Sequence, residues 1–141
     1  MILFDTNVIS ELMRAEPAPA VLAYVGRLAP ATVFTAAICE AEIRYGLARM
    51  PRGRKRDDLV DRISKFFEIG FRDQILPFDR HCAVVYGEVR YVREAAGKPI
   101  AVEDAMIAAT ARANGARAIA TRNVTDFADC GVPLIDPWAH S

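Results

Sequence analysis

Met1-Ile2-Leu3-Phe4-Asp5-Thr6-Asn7 sets three apolar residues in unbroken succession and follows them at once with residue types that cap helices. A continuous apolar run with a polar stop marks a strand buried on both faces, and such strands belong to parallel sheets. Asp5 therefore falls at the carboxyl end of a predicted strand. In open parallel sheets ligands bind just beyond the strand ends, where the connections diverge to opposite faces.

The rest of the chain alternates in the way such a sheet requires. Val8, Ile9, Leu12 and Met13 repeat at helical spacing after a cap by Thr6 or Asn7, and Pro17 and Pro19 end that helix. A second helix is predicted over 20–28, ending before Pro30, and a third over 36–50, closed by Pro51 and Gly53. Leu59, Val60, Ile63, Phe66 and Phe67 predict a fourth. Asp79 caps a fifth that runs towards Gly97, and a sixth spans 103–114 with Gly115 as its stop. Short apolar stretches at 32–35, 75–78, 118–121 and 132–135 supply four further strands, with Pro77 marking the third as an edge or an end. Alternating strands and helices give right-handed crossovers, a parallel sheet of about five strands and helices on both of its faces.

Bulk properties narrow the function. At 141 residues, 52% hydrophobic and 26% charged, the chain has room for one domain with a real core. Its 18 basic and 18 acidic residues cancel, so any contact with nucleic acid must come from local patches. Cys39, Cys82 and Cys130 are odd in number and lack a CxxC pair; they read as core residues in a reducing compartment. His81 and His140 are unclustered and read as surface or capping residues. The glycines are scattered, and neither GxGxxG nor GxxxxGK[ST] can be written. No basic segment leading into an apolar stretch opens the chain, and no run approaches membrane-spanning length, which predicts a cytoplasmic protein.

Four acids stand out from this background. At about 100° per residue, Glu42 falls inside the stripe Ile38, Ala41, Tyr45 of the third helix, whereas Glu40 points away. Asp104 shares a stripe with Ile107, Ala108 and Ala111 on a helix so apolar that most of its surface must be covered. Each acid alone has an ordinary explanation, because Asp5 and Asp104 suit helix starts and Asp126 suits a turn. Together they converge on the carboxyl edge of the sheet. Two carboxylates about 5 Å apart repel by roughly 3 kcal/mol at an effective dielectric near 20, so such a cluster asks for protons or a cation. All-oxygen ligands without cysteine or clustered histidine favour Mg2+ or Mn2+. Carboxylate-held magnesium is suited to phosphodiester hydrolysis, and the basic residues Arg52, Arg54, Lys55, Arg56, Lys98 and Arg122 are candidates for holding a polynucleotide backbone. The 52–56 run also places positive charge at a helix start, against the macrodipole, which points to an external anionic partner.

Phe4-Asp5-Thr6-Asn7, Glu42, Ile100-Ala101-Val102-Glu103-Asp104-Ala105-Met106-Ile107-Ala108-Ala109-Thr110-Ala111 and Ala120-Thr121-Arg122-Asn123-Val124-Thr125-Asp126-Phe127 resemble PIN-domain ribonucleases. The likeness is to VapC-type toxins of toxin–antitoxin pairs, nearest the FitB-like branch, and it covers essentially the whole chain. It implies one PIN domain over 1–141 with a three-layer α/β/α fold and the first strand in the middle of the sheet. It further implies a Mg2+- or Mn2+-dependent endoribonuclease in which Asp5, Glu42 and Asp104 match the acidic triad and Asp126 the fourth, more variable acid. Thr6 matches a hydroxyl that supports the first Asp, Asn7 lies beside it, and Asn123 stands where many members carry an acid. The implied partners are RNA, a second copy of the chain, and an antitoxin whose C-terminal tail covers the groove and which alone contacts DNA, in a heterotetramer or larger assembly.

Two other functions fit a small acidic parallel sheet. A phospho-receiver would need an acceptor Asp ending a middle strand and a Lys ending a late one, and the late strands here end in Thr121-Arg122 and Asp136-Pro137. A PIN-fold protein with little turnover, acting mainly as an antitoxin-bound corepressor, would keep the acids without using them. On the metal reading, Asp5→Asn is expected to cost little stability in metal-free protein.

Overall fold

A computed structural model describes residues 1–139; the expectation for His140 lies outside the described residues. In chain order the elements are β1 (Ile2–Phe4), α1 (Thr6–Leu12), α2 (Pro19–Gly26), a 3-10 turn (Pro30–Thr32), β2 (Val33–Ala36), α3 (Ala37–Ala48) and α4 (Arg54–Lys65). A π-helical turn (Phe66–Gly70), β3 (Ile75–Leu76), α5 (Arg80–Ala95), α6 (Val102–Ala113), β4 (Ala118–Ala120) and β5 (Leu134–Ile135) follow. All strand pairs are parallel and the sheet order is β3-β2-β1-β4-β5. The first strand is thus the central one. Its last residue, Phe4, stands level with Thr35 of β2 and Ala120 of β4.

Alternation along β1 divides the core. Leu3 joins Ile119 and the buried residues of α5 and α6 on one face of the sheet. Phe4 joins Val33 and Ala120, with the apolar sides of α1, α2 and α4, on the other. Both Leu3 and Phe4 are fully buried, which contributes about 1.5–3 kcal/mol for each side chain. α3 serves both layers, with Cys39 in the first cluster and Leu47 in the second. Ala105, Ala108, Ala109 and Ala111 are buried in α6, and their small size lets α5 pack closely against it.

Local chemistry explains the element ends and corrects several expectations. Asp5, not Thr6 or Asn7, caps α1: its side chain accepts from the Thr6 N–H, so helix and strand meet at this residue without a gap. Pro19 begins α2 instead of only ending α1, because its fixed φ suits the first helical turn and its missing N–H costs nothing there. Asp79 caps α5 as its position predicts, accepting from the Cys82 N–H at 3.1 Å. Gly97 and Gly115 follow α5 and α6 with φ of +73° and +67°, the left-handed backbone that turns the chain out of a helix. β3 and β5 are two residues long, shorter than the apolar stretches that announce them, and lie at the sheet edges. Cys39, Cys82 and Cys130 are free and buried, and His81 is exposed in the first turn of α5. No helix among the described residues is long and apolar enough to cross a membrane.

Candidate active site

In the order 3-2-1-4-5 the sheet reverses direction about β1, so the crevice predicted for such a sheet opens between the carboxyl ends of β1 and β4. Asp5 follows the first of these strands and Thr121 the second. A cleft of about 550 Å³ lies there, lined by Asp5, Thr6, Asn7, Glu42 and Asp104 on one side and by Ser10, Glu11, Arg14, Arg122, Asn123 and Trp138 on the other. Four acids therefore line one cleft: Asp5 after β1, Glu11 on α1, Glu42 on α3 and Asp104 on α6.

Asp5 is the most constrained of them. It is 3% exposed, and its backbone N–H donates to the Ala120 carbonyl, continuing the sheet ladder by one residue. The Thr6 N–H reaches Oδ1 at 2.7 Å, while the Asn7 amide and the Thr121 hydroxyl both reach Oδ2 at 2.8 Å. Asn7 in turn accepts from the Arg122 N–H at 3.1 Å, and the Thr121 hydroxyl accepts from the Asn123 N–H at 3.0 Å. Burial pushes the Asp5 carboxyl above its usual range; the Thr121, Thr6 and Asn7 bonds oppose that, and the charge of Asp126 adds to it. This network revises the expectation for Asp5→Asn. An amide at the Oδ2 position would face two donors, and flipping Asn7 to accommodate it would abandon the Arg122 N–H.

Glu42 and Asp104 are half-buried. The Thr6 hydroxyl donates to Glu42 Oε1 at 2.8 Å, and Glu42 is raised by burial first, against the Thr6 bond, and then by the charges of Asp5 and Glu103. Glu40, two residues earlier, is engaged by Arg44 at 2.6 Å, consistent with its pointing away from the cleft. Asp104 accepts no hydrogen bond from a described residue. Burial pushes its carboxyl up to about 6, with Asp5, Asp126, Glu42 and Glu103 adding to the rise. Cys39 is pushed up to about 12 by burial and by the Asp5 charge, which favours the neutral thiol.

The remaining predicted residues divide. Asp126 is exposed and does not line the cleft, yet its charge is felt by both Asp5 and Asp104. Of the six basic candidates only Arg122 lines the cleft; Arg52, Arg54, Lys55 and Arg56 do not, and Lys98 pairs loosely with Asp129 at 3.8 Å. Arg14, two residues beyond the end of α1, lines the cleft in their place and pairs with Glu11 at 3.3 Å. Sequence reasoning also passed over Glu103, Thr121 and Arg93. Arg93 is 5% exposed, and its guanidinium donates to the carbonyls of Lys98, Asp126 and Ala128 at 2.7, 2.7 and 2.9 Å. It ties the segment carrying Asp126 to the turn that leads into α6.

As the side chains stand, no group of three or more His, Cys, Asp or Glu among the described residues is gathered closely enough to hold a metal ion. The donor set nevertheless fits a hard cation. A carboxylate offers about four lone-pair positions; Asp5 uses three, Glu42 leaves Oε2 unused, and Asp104 leaves both oxygens unused. Burial raises all three carboxylates, and the charges of Asp5 and Glu42 raise Asp104 further, which is what a divalent cation would relieve.

Parallel sheet, two helical layers and an acid-lined cleft at the switch point define a three-layer α/β/α protein of the PIN-like class. The chain belongs to the PIN domain family, whose model matches residues 2–131. It is 40% identical to VapC ribonuclease Y4jK of Sinorhizobium fredii over 98% of each chain. It is 38% identical to Toxin FitB of Neisseria gonorrhoeae, over 98% of this chain and 99% of that one. Among solved structures, FitAB bound to an IR36 DNA fragment superposes with a TM-score of 0.91 at 38% identity, covering 100% of this chain and 98% of that one.

Proposed function

We propose that this protein is a Mg2+- or Mn2+-dependent endoribonuclease and the toxin of a toxin–antitoxin pair, with Asp5, Glu42 and Asp104 as its metal-holding acids and Asp126 as a fourth, outer acid. The single observation that carries the reading is the convergence of those three carboxylates in one cleft, each raised first by burial. The family and the two toxin and ribonuclease relatives support it.

A divalent cation held there would neutralise a phosphodiester, acidify water and favour in-line displacement, leaving 5′-phosphate and 3′-hydroxyl ends. The chain's own residues do the rest. Thr121, Asn7 and the Thr6 N–H favour the ionised form of Asp5 and aim it, and the Thr6 hydroxyl aligns Glu42. Asp104, which accepts no hydrogen bond from a described residue, would be the acid freest to meet a cation. Asn7 and Asn123 support the cleft wall, and Arg122 draws in RNA phosphate.

The same reading gives the chain, acting as one domain over 1–141, a cytoplasmic location, a homodimeric state and an antitoxin that covers the cleft and brings the complex to DNA. The FitAB structure, which carries DNA, supports the last of these. Purified protein should cut structured RNA in magnesium or manganese, stop in chelator, and lose cutting in Asp104→Asn. Wild-type protein that leaves RNA intact in both metals while its antitoxin complex still binds promoter DNA would replace the nuclease with a corepressor.

A further inference from the structure

Trp138 is the chain's single tryptophan, and it lines the same cleft as the acids. Its ring packs against the apolar cluster beneath α1 and α2, and its backbone is set by an N–H bond to Asp136 Oδ1 at 2.9 Å. The Arg122 guanidinium lies over the ring, 4.9 Å from its centroid. Arg122 pairs with no acid among the described residues although the cleft beside it is acidic, whereas the other cleft arginine, Arg14, is taken up by Glu11. The Arg122 backbone is fixed to the site through Asn7, which bonds Asp5 with its amide and accepts from Arg122 with its oxygen.

A planar indole lining the cleft, an exposed cation stacked on it and an acid joined to that cation's backbone through Asn7 match what a single unpaired nucleotide presents: a base face, a phosphate and a scissile bond. We infer that Trp138 and Arg122 form a nucleotide subsite next to the acids. Trp138 stacks the base of a residue flanking the cut, and Arg122 swings from the ring to the adjoining phosphate. Stacking on one indole favours single-stranded RNA and, by contact area, purines. The inference rests on the nuclease reading and adds to it the part of the cleft that selects the substrate.

Because no other tryptophan contributes, the emission of Trp138 reports its own surroundings. The test uses wild-type chain and a short single-stranded RNA with calcium in place of magnesium, so that binding is read without turnover. Anisotropy of end-labelled RNA gives affinity, and tryptophan emission of unlabelled mixtures gives stacking. Binding should quench the emission, and an otherwise identical oligonucleotide with one abasic position should bind about tenfold more weakly and fail to quench. Trp138→Phe should stay within about threefold of wild type and Trp138→Ala should fall about tenfold. Arg122→Ala should lower the salt slope of binding by about one. RNA held at full affinity by Trp138→Ala, with wild-type emission unmoved, overturns the subsite and leaves the nuclease reading standing. RNA that is not bound at all overturns both.

Discussion

The hydroxyl of Thr121 donates to Oδ2 of Asp5 across 2.8 Å and 116 positions of sequence. The bond spans the carboxyl ends of β1 and β4, and it is buried. Fold and chemistry are joined here: the contact that links the two central strands at their carboxyl ends also favours the ionised form of a carboxylate that burial disfavours.

Thr121→Val should therefore destabilise the protein by about 2 kcal/mol at neutral pH, since the bond is to a charged group and the Asn123 N–H loses its acceptor as well. The bond favours the ionised form of Asp5, so the penalty should shrink as pH falls and Asp5 protonates. Urea unfolding at pH 5 and pH 8 checks this; an equal penalty at both would show that the hydroxyl serves packing alone.

Asp104→Asn removes charge where no hydrogen bond is lost. We expect it to raise the melting temperature of metal-free protein by about 2–4 °C at pH 7.5 while lowering RNA cleavage by more than about 100-fold. Asp5→Asn should cost stability as well as activity, because of the two donors at Oδ2. A melting temperature for metal-free Asp104→Asn below that of wild type would remove the repulsion argument.

The Asp104 carboxyl, usually near 3.8, stands at about 6 in the fold. Between those values the folded protein binds a proton that the unfolded chain has released, so metal-free stability should fall as pH rises through that window and level off above it. A bound cation competes with that proton, so magnesium should stabilise little at pH 5 and most above pH 7. Melting curves in chelator and in magnesium at pH 5, 6 and 7.5 read both slopes.

Arg93 acts at a distance from the acids. Arg93→Met leaves three carbonyls without their donor and should cost on the order of 3 kcal/mol. Hydrogen exchange should rise first in residues 123–130, and Arg93→Lys, with one compact head in place of a fork, should restore only part of the protection. Unchanged exchange in that segment would count against the tether.

Thr6 offers a subtler variant. Thr6→Val keeps the backbone N–H on Asp5 and deletes only the hydroxyl on Glu42, which should weaken magnesium binding by about tenfold with little change in folding; Thr6→Ser should be near wild type. Calorimetric titration with magnesium separates the two.

β1 was legible because burial on both faces leaves an unbroken apolar run, and Asp104 because a carboxylate stood on a helix with almost no polar side. Periodicity carries such information directly. It carries none about Arg93, whose partners are backbone carbonyls 33 and 35 positions on, or about Thr121, whose value depends on register between strands. The Arg52–Arg56 run shows the opposite failure: charge density in sequence drew attention to α4, whereas the cleft takes its cations singly from the segment just after α1 and from the segment after β4. Strand ends were overrun at β3 and β5 because edge strands hold apolar side chains over a longer stretch than they hold ladder bonds. The capping of α1 by Asp5 was misread because the same side chain performs two tasks that sequence reasoning had assigned to different residues.

A parallel sheet also gives the molecule a front and a back. Met1 lies at the back, where its carbonyl accepts from the Arg117 N–H at 2.8 Å, while Trp138 and Ala139 lie at the front beside the acids. A tag or surface anchor attached ahead of Met1 starts at the end of the sheet away from the cleft, whereas an attachment just after Trp138 and Ala139 starts beside it. Handling the protein by its amino end is the arrangement under which its activity can be measured without obstruction.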